Sequence, residues 1–312
     1  MTKWLQKKVS LKYQLSDFTI ASATLKLECY SANPLDDAPL DLEQLTLPPK
    51  EDDSQGFLLH SQPVQPGQAK IRRCQGLIYY LPQQYKHCFI NMRQSFEDYK
   101  SKFSSKTRST INRKVKKFAK HSGGTINWKS YKTEQQLAEF FDLAREVSRL
   151  TYQEKLLDAG LPDSQEFIQQ AICRAKEDGI RAFILFDGQR PVSYLYLPIK
   201  DEVLIYAYLG YDPEYMKLSV GTVLQWLAME ELFLEGRFLA FDFTEGESPH
   251  KLLFSTDIVS CANIYILHSS FRNSFLVYVH LMLNKFSTWL GNILERWGIK
   301  AKIRRFIRFS GK

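Results

Sequence analysis

The most informative stretch for the fold is residues 181–243, RAFILFDGQRPVSYLYLPIKDEVLIYAYLGYDPEYMKLSVGTVLQWLAMEELFLEGRFLAFDF. It begins with three apolar, aromatic-rich runs at residues 182–186, 192–199 and 203–211, which are separated by the short turns DGQR and KDE. Short turns between such runs predict an antiparallel meander of three strands.

The end of this stretch predicts a helix and then a strand. Apolar residues recur with helical spacing over residues 220–235, and Gly236 follows as a C-cap. The run at residues 238–243 has the composition of a buried strand. Three strands, a helix and a further strand in this order indicate an α/β fold.

The flanking sequence extends the same pattern in both directions. Before the meander we expect a strand at residues 125–128 and two amphipathic helices at residues 134–150 and 163–176. After it we expect a short helix at residues 249–254 and a strand at residues 264–267. The whole order predicts a mixed sheet flanked by helices.

The rest of the chain suggests a division into three parts. The first third alternates apolar and polar residues in the manner of strands, at residues 25–30, 76–81 and 85–92. A basic helix follows, and Gly123-Gly124 ends it. We therefore expect an N-terminal domain over residues 1–124, a second domain over 125–270, and an amphipathic basic helical extension over 271–312.

The positive charge is concentrated in two places. The chain carries a formal charge of +8, and residues 99–120 hold nine Lys/Arg without an acid. Residues 296–312 hold seven more, again without an acid, so the remainder of the chain has a charge of 8 − 9 − 7 = −8. This distribution predicts anionic partners at two sites.

Several classes of protein are disfavoured by composition. The 44% of apolar residues excludes a disordered chain, and the five cysteines show no C-x-x-C spacing typical of zinc sites or disulfide frameworks. We expect no metal. The N-terminus lacks the apolar run of a secretory signal, and residues 275–290 are too short and polar to span a bilayer. A cytoplasmic location is expected, and peripheral contact of the basic tail with the inner face of the membrane stays open.

The turn before the predicted helix is a candidate phosphate site. It contains Lys217, Ser219, Val220, Gly221 and Thr222. Helix N-termini leave backbone N–H groups unpaired and favour anions, and a glycine lets a phosphate approach closely. The alternative is that Ser219 simply caps a core helix, and one glycine does not decide between the two.

The end of the strand at residues 238–243 is a candidate catalytic region. Asp242, Glu245, Glu247 and His250 stand there within a Gly/Pro-containing turn. Each could act as a general base for an acceptor. The alternative is a solvated loop whose carboxylates cap the following helix.

Three tyrosines mark the third strand of the meander. Tyr206 and Tyr208 share one face at a spacing of two, and Tyr211 follows. A tyrosine can protonate a leaving group or line a cleft, although half-buried strand tyrosines with a hydrated hydroxyl are common.

The basic helix and the tail are candidate anion-binding surfaces. The helix has an apolar stripe, and its remaining surface is crowded by Lys106, Arg108, Arg113, Lys114, Lys116, Lys117 and Lys120. Nucleic acid, an anionic glycan, the phosphates of CoA or acidic lipid would suit it. The tail from Trp297 interleaves apolar residues with cations, which fits either an anionic membrane surface or docking on the protein core.

Two segments resemble a known family. Residues 103–114, FSSKTRSTINRK, and residues 241–246, FDFTEG, together with His250-Lys251, resemble bacterial GNAT (GCN5-related) acyltransferases of cellulose or exopolysaccharide biosynthesis. These are akin to the Fem-type peptidoglycan aminoacyl transferases. The order of elements from residue 125 to residue 267 is similar to the GNAT fold. The resemblance implies two tandem GNAT-like domains, the first of them degenerate.

The resemblance also implies a co-substrate and residue roles. Acetyl-CoA or another acyl-CoA would donate the acyl group to an amine or glycan acceptor, and no metal would take part. Acyl-CoA would be bound by Lys217, Ser219, Val220, Gly221, Thr222, Tyr211 and Lys251. The family has no universal catalytic residue, so the catalytic candidates rest on position and chemistry: Glu245 first, then Asp242, Tyr208 and His250. The anion or acceptor contacts would come from Lys106, Arg108, Arg113 and Lys114.

The chain departs from the GNAT pattern in the phosphate-binding turn. The family's turn is rich in Arg/Gln and Gly, whereas here Met216 or Lys217 stands at the Arg position and Gly221 is the one glycine. Use of an aminoacyl-tRNA, as in Fem-type transferases, therefore stays open. So does a non-catalytic GNAT-fold component of a polysaccharide synthesis complex.

Overall fold

The computed structural model describes residues 4–15, 18–31, 45, 47–49, 53–65, 67, 69–151 and 160–296. The tail from Trp297 onward lies outside them. The described chain separates into two compact units. The first holds the residues up to His87, Glu245–Glu247 and the residues from Ile258, and the second holds Cys88–Thr244 and Ser248–Asp257.

The strands of the described residues follow one another from β1 to β13. They are β1 (Leu5–Leu15), β2 (Phe18–Ser31), β3 (Gly56–Pro63), β4 (Ile71–Cys74), β5 (Leu77–Tyr80), β6 (Gln84–Asn91), β7 (Asn127–Tyr131), β8 (Ile180–Asp187), β9 (Arg190–Lys200), β10 (Val203–Ile205), β11 (Tyr208–Tyr211), β12 (Ala240–Glu245) and β13 (Asp257–His268).

The α-helices of the same residues are numbered from α1 to α7. They are α1 (Phe96–Ser101), α2 (Ser105–His121), α3 (Glu134–Ser148), α4 (Gln165–Lys176), α5 (Val220–Glu235), α6 (Pro249–Phe254) and α7 (Phe271–Arg296). A 3₁₀ segment, Pro213–Leu218, precedes α5. None of the described helices combines the length and the apolar character needed to cross a bilayer.

In the second unit, β9 lies at the centre of the sheet. It pairs antiparallel with β8, β10 and β11, while β7 pairs with β8 and β12 pairs parallel with β10. Residues 191–198 are buried on both faces, because helices cover both. One face carries α1, α2, α5 and α6, and the other carries α3 and α4.

The caps of the long helices follow from their sequence. Ser104 and Ser164 accept hydrogen bonds from backbone N–H groups in the first turns of α2 and α4. Gly236 ends α5 with φ 65°, a left-handed conformation that favours glycine. Helix α2 buries Ile111 and Phe118 against the core, so its cations lie on the remaining surface.

The first unit has its own group of paired strands and its own core. Strand β2 pairs antiparallel with β1 and parallel with β3, and β13 pairs antiparallel with β3 and β5. Helix α7 packs on β1: Tyr13 donates to the Leu276 carbonyl at 3.1 Å, and His280 Nε2 lies 3.1 Å from the Lys12 carbonyl oxygen. Val277 and Leu281 are buried in the same cluster.

The prediction of a mixed sheet flanked by helices is confirmed. Most predicted elements are present, with one instructive difference: the expected single strand at residues 203–211 is two strands, β10 and β11. The reason is pairing, because β10 lies between β9 and β12 whereas β11 pairs with β9.

The grouping of elements differs from the sequence division. Helices α1 and α2, which sequence analysis assigned to the first domain, pack in the second unit, because Tyr99, Ile111 and Phe118 join the cluster around α5. Strand β13 and helix α7 complete the first unit.

Gly210 of β11 lies at a position where a larger side chain does not fit. A Cβ at this position would overlap the ring of Tyr194, which lies opposite on β9 and is buried. Gly210→Ala should therefore destabilise the chain by about 1–3 kcal/mol in denaturant unfolding, although alanine is otherwise favoured over glycine in a strand.

The control is a double-mutant cycle with Tyr194→Leu. The two substitutions together should cost less than the sum of the single changes, because leucine leaves room for the new methyl group. If the free-energy losses of the two single variants simply add in the double variant, the predicted clash between a Cβ at position 210 and the Tyr194 ring is contradicted.

Candidate functional site

A cavity of about 400 Å³ lies in the second unit where the α5 N-terminus meets β11 and the start of α6. It is lined by Tyr206, Leu209, Tyr211, Met216, Ser219, Val220, Gly221, Thr222, Ser248, His250 and Lys251. The cavity opens where two strands separate. Tyr206 N–H still donates to the Asp242 carbonyl of β12 at 2.8 Å, but the following strand, β11, pairs with β9 and not with β12.

The turn into α5 presents a helix N-terminus to this cavity. Asp212 is buried, accepts the Glu214 N–H at 3.0 Å and pairs with Arg190, which anchors the start of the 3₁₀ segment. Ser219 then adopts a left-handed conformation with φ 55°, and its side chain does not cap α5 within the described structure. The first N–H groups of α5 are thus directed at the cavity without a side-chain cap, an arrangement suited to an anion.

Cations surround this end of α5. Lys251 lines the cavity. Lys117 of α2 donates to the Lys217 carbonyl at 2.9 Å, which holds α2 beside the 3₁₀ segment. The Lys114 charge is close enough to His250 to act on its pKa. The basic helix and the candidate phosphate turn, which are 100 residues apart in the chain, are therefore one region of the second unit.

His250 is the imidazole in the lining of the cavity. Burial lowers its pKa to about 4, and the charges of Lys114 and Lys251 act in the same direction. Its Nε2 lies 2.6 Å from Gln225 Oε1, so Nε2 carries the proton and donates. The ring packs against Phe254, with centroids 4.8 Å apart. A neutral imidazole with a lone pair on Nδ1 is able to accept a proton at neutral pH.

Gln225 is a residue of this site that sequence analysis missed. It is fully buried on α5, and its Nε2 has no hydrogen-bond partner among the described residues. A buried amide is costly unless it serves a function or a network. The available signal was a single glutamine inside the apolar run VGTVLQWLAM.

The structure brings together most of the residues proposed for acyl-CoA. Six of the seven line the cavity: Tyr211, Ser219, Val220, Gly221, Thr222 and Lys251. Lys217 does not; it is exposed, and its backbone carbonyl faces Lys117. Gly221 has a packing role as well, because a Cβ there would stand 3.2 Å from Leu209 Cδ2 and 3.5 Å from Tyr211 Cδ1.

The remaining catalytic candidates have other surroundings. Tyr208 turns to the opposite face of the sheet, where its ring lies 5.8 Å from that of Phe167. Asp242 accepts the Thr244 N–H at 2.6 Å. Glu247 pairs with Lys86 at 2.8 Å. Neither Tyr208 nor Asp242 lines the cavity of His250.

Glu245 lines a different, polar cavity of about 690 Å³ in the first unit. Asn263 Nδ2 donates to its carboxylate at 3.2 Å, and Tyr85 donates to Asn263 Oδ1 at 3.2 Å. The rest of the lining is mainly polar and includes Gln14, Asn284, Lys12 and Lys70. This carboxylate is held in a hydrogen-bond network, separate from the cavity that His250 lines.

The cations proposed to bind anions have three different environments. Lys106 and Arg113 are exposed on α2. Arg108 turns toward the residues that precede α2 and donates to the Phe103 carbonyl at 3.0 Å. Lys114 is half-buried on the side of α2 that acts on His250. Within the described ranges no group of three His, Cys, Asp or Glu side chains is placed to hold a metal ion.

The second unit matches a known domain. Residues 105–252, just under half of the chain, match the family model of an acetyltransferase (GNAT) domain. This segment contains α2, the whole lining of the His250 cavity and Gln225. No curated protein sequence matches the chain.

Several solved structures are similar in backbone. FemX is 10% identical with a TM-score of 0.48, over 85% of this chain and 89% of that one. The C-terminal domain (DUF2156) of a protein described as a lysylphosphatidylglycerol synthetase from Agrobacterium fabrum is 9% identical, with a TM-score of 0.47. That alignment covers 68% of this chain and 66% of the other, just under two thirds. The PaiA N-acetyltransferase of Thermoplasma acidophilum in complex with coenzyme A is 16% identical with a TM-score of 0.27, over 46% and 99% of the chains.

The lowered pKa of His250 predicts an acid-sensitive fold. In the unfolded chain a histidine titrates near pH 6.5, whereas in the folded state this one titrates near 4. Between these values the unfolded chain binds the extra proton, so stability falls as the pH falls. Relative to His250→Gln, wild type should lose on the order of 2 kcal/mol of unfolding free energy between about pH 7 and about pH 5.

Denaturant unfolding of both proteins at the two pH values measures this difference. The other titrating groups are common to both and cancel. An equal loss in the two proteins would mean that His250 titrates normally.

Proposed function

We propose that the chain transfers an acyl group, acetyl in the simplest case, from acyl-CoA to an amine or hydroxyl acceptor. The observation that carries the proposal is the cavity in the second unit, where an uncapped helix N-terminus, a lysine and a neutral histidine meet at an opening in the sheet. The match of residues 105–252 to an acetyltransferase (GNAT) domain supports the same reaction class.

The diphosphate of CoA would bind at the start of α5. The N–H groups of the first turn and the helix dipole favour an anion at this point, and Ser219 does not occupy it with its side chain. Lys251 would supply a charge from the opposite wall of the cavity. The exposed cations of α2 would contact the remaining phosphate.

The thioester would lie at the opening between β11 and β12. Its carbonyl would accept a hydrogen bond from a backbone N–H of residues 207–211, because the Tyr206 N–H is already bonded to Asp242. Leu209 and Tyr211, which are partly buried, give the cavity apolar surface at this point. An amide donor fixed by strand pairing needs no reorganisation when negative charge develops on the oxygen.

His250 would act as the general base. Its lone pair on Nδ1 would take the proton of the acceptor as the nucleophile attacks the thioester carbon and the CoA thiolate leaves. Gln225 holds the ring by accepting from Nε2, which fixes the tautomer. Sequence analysis placed Glu245 first, and we now propose His250 because it lines the same cavity as the α5 N-terminus.

The acceptor is proposed to be an amine or glycan of cell-envelope polysaccharide metabolism. This step rests on the resemblance of residues 103–114 and 241–246 to exopolysaccharide-associated GNAT proteins. Aminoacyl-tRNA is the second candidate donor. Lys106, Arg113, Lys116 and Lys120 favour it, since they are exposed on one helix that contains no acid.

Acyl-CoA binding can be tested at Thr222. Wild type should be stabilised by acetyl-CoA, by about 2.7 kcal/mol at 100 times Kd. Thr222→Glu should remove this thermal shift, because it sets a carboxylate in the first turn of α5 beside the proposed diphosphate. The melting temperature without ligand should not fall, since acids favour helix N-termini.

Two matched variants control for bulk and for charge. Thr222→Gln adds the bulk without the charge, and Gln165→Glu adds the same charge to the first turn of α4. Both should keep the acetyl-CoA shift. A full shift in Thr222→Glu would place the diphosphate elsewhere, and no shift in wild type with any acyl-CoA, combined with salt-dependent RNA binding, would favour the tRNA donor.

The base can be identified by comparing two variants. His250→Gln should lower kcat by about 100- to 10,000-fold while the acetyl-CoA shift is kept, because a positioned base contributes on that order. Glu245→Gln should remain within a few-fold of wild type. Steady-state kinetics with an amine acceptor give both values, and the reverse result would assign the base to Glu245.

A further inference from the structure

Helix α7 has two faces with opposite roles. Its inner face packs on the first unit through Val277, His280 and Leu281, all of them buried. His280 also lies 2.5 Å from the Tyr80 hydroxyl through its Nδ1. The inner face therefore packs on the core of the first unit, and the outer face takes no part in that packing.

The outer face is a continuous apolar stripe. Six large side chains recur along it at spacings of three and four residues, and each is between 46% and 90% exposed: Phe271, Phe275, Tyr278, Met282, Phe286 and Trp289. Such spacing keeps them on one side of the helix over a length of about 27 Å. We call this set the outer stripe.

The outer stripe is more than ordinary surface apolarity. Single exposed apolar residues are common on soluble proteins, whereas a contiguous exposed patch marks an interaction site. Six of the fourteen large apolar residues that are exposed in the described ranges belong to this one helix face. Five of these six are aromatic, and packing within the unit does not require an aromatic side chain at these exposed positions.

Cations border the outer stripe. Arg272 and Lys285 are exposed on the same helix. Arg73 lies beside it, with its guanidinium 5.7 Å from the centre of the Tyr278 ring and its Nη2 donating to Ser274 at 3.1 Å. The sequence of α7 contains three Lys/Arg, which are Arg272, Lys285 and Arg296, and one acid, Glu295.

We infer that the outer stripe of α7 is a docking surface for an anionic phospholipid bilayer. The aromatic and Met side chains would enter the boundary between headgroups and acyl chains, and the bordering cations would lie at the level of the lipid phosphates. A bilayer offers an apolar layer and a negatively charged surface next to each other, so one helix can contact both.

A second copy of the chain fits the outer stripe less well. Pairing of α7 with α7 would bring the same cations from both copies to one interface, where Glu295 is the one acid available from this segment. Like charges without counter-charges destabilise such an interface. The inference is independent of the proposed acyl transfer, since it concerns the first unit and a different set of residues.

Vesicle co-sedimentation of the full chain tests the inference. Wild type should sediment with vesicles of phosphatidylglycerol and phosphatidylcholine in equal parts, and much less with phosphatidylcholine alone. Phe275→Ser and Trp289→Ser should each weaken binding by about tenfold or more, because each removes a side chain that enters the apolar layer. Added salt should weaken wild-type binding, since the cations contribute through charge.

Leu234→Ser is the matched control, because Leu234 is an apolar residue 81% exposed on a helix of the second unit. It should bind as wild type does, and all three variants should keep the wild-type melting temperature, as exposed positions do. The inference fails if wild type ignores the anionic vesicles at low salt or if the two stripe variants bind as well as wild type. It also fails if gel filtration shows a wild-type dimer that these variants convert to monomer, because a second copy would then cover the stripe.

Discussion

Tyr206 N–H donates to the Asp242 carbonyl at 2.8 Å, and beyond that point the chain leaves β12 and continues beside β9. Every other feature of the candidate site depends on this change. If β11 had continued beside β12, strand pairing would have consumed the backbone groups that line the opening, and α5 would have packed on a closed sheet. Gly210 permits the pairing of β11 with β9, since a larger residue would collide with Tyr194.

The electrostatics of the cavity follow from the same packing. Burial beside Phe254, together with the charges of Lys114 and Lys251, keeps His250 neutral, and Gln225 fixes the position of its proton. A region rich in cations is a poor place for an imidazolium and a good place for a diphosphate. The requirement for an anion site and the requirement for a neutral base are therefore met by one arrangement of charges.

The two units contain different kinds of candidate binding surface. The second unit concentrates a small cavity with a mixed lining at a helix N-terminus. The first unit holds a larger polar cavity with the Glu245–Asn263 network and, on α7, a helix face whose large apolar residues point outward. The proposed acyl transfer would use the cavity of the second unit, and the proposed membrane docking would use the outer stripe of the first.

The order of strands and helices in the second unit could be predicted from the sequence, because apolar periodicity, caps such as Ser164 and Gly236, and short turns are local signals. Local signals also located the turn at Ser219–Thr222 and the cluster of titratable residues near His250. They could not show that the run at residues 203–211 breaks into two strands, because that depends on which neighbours are available. They could not separate His250 from Glu245 either. These residues are five positions apart in the chain, and only packing directs one to the α5 N-terminus and the other to Asn263. The same holds for α7, whose sequence is apolar on most sides, so that docking on β1 alone determines which of its residues are buried and which form the outer stripe.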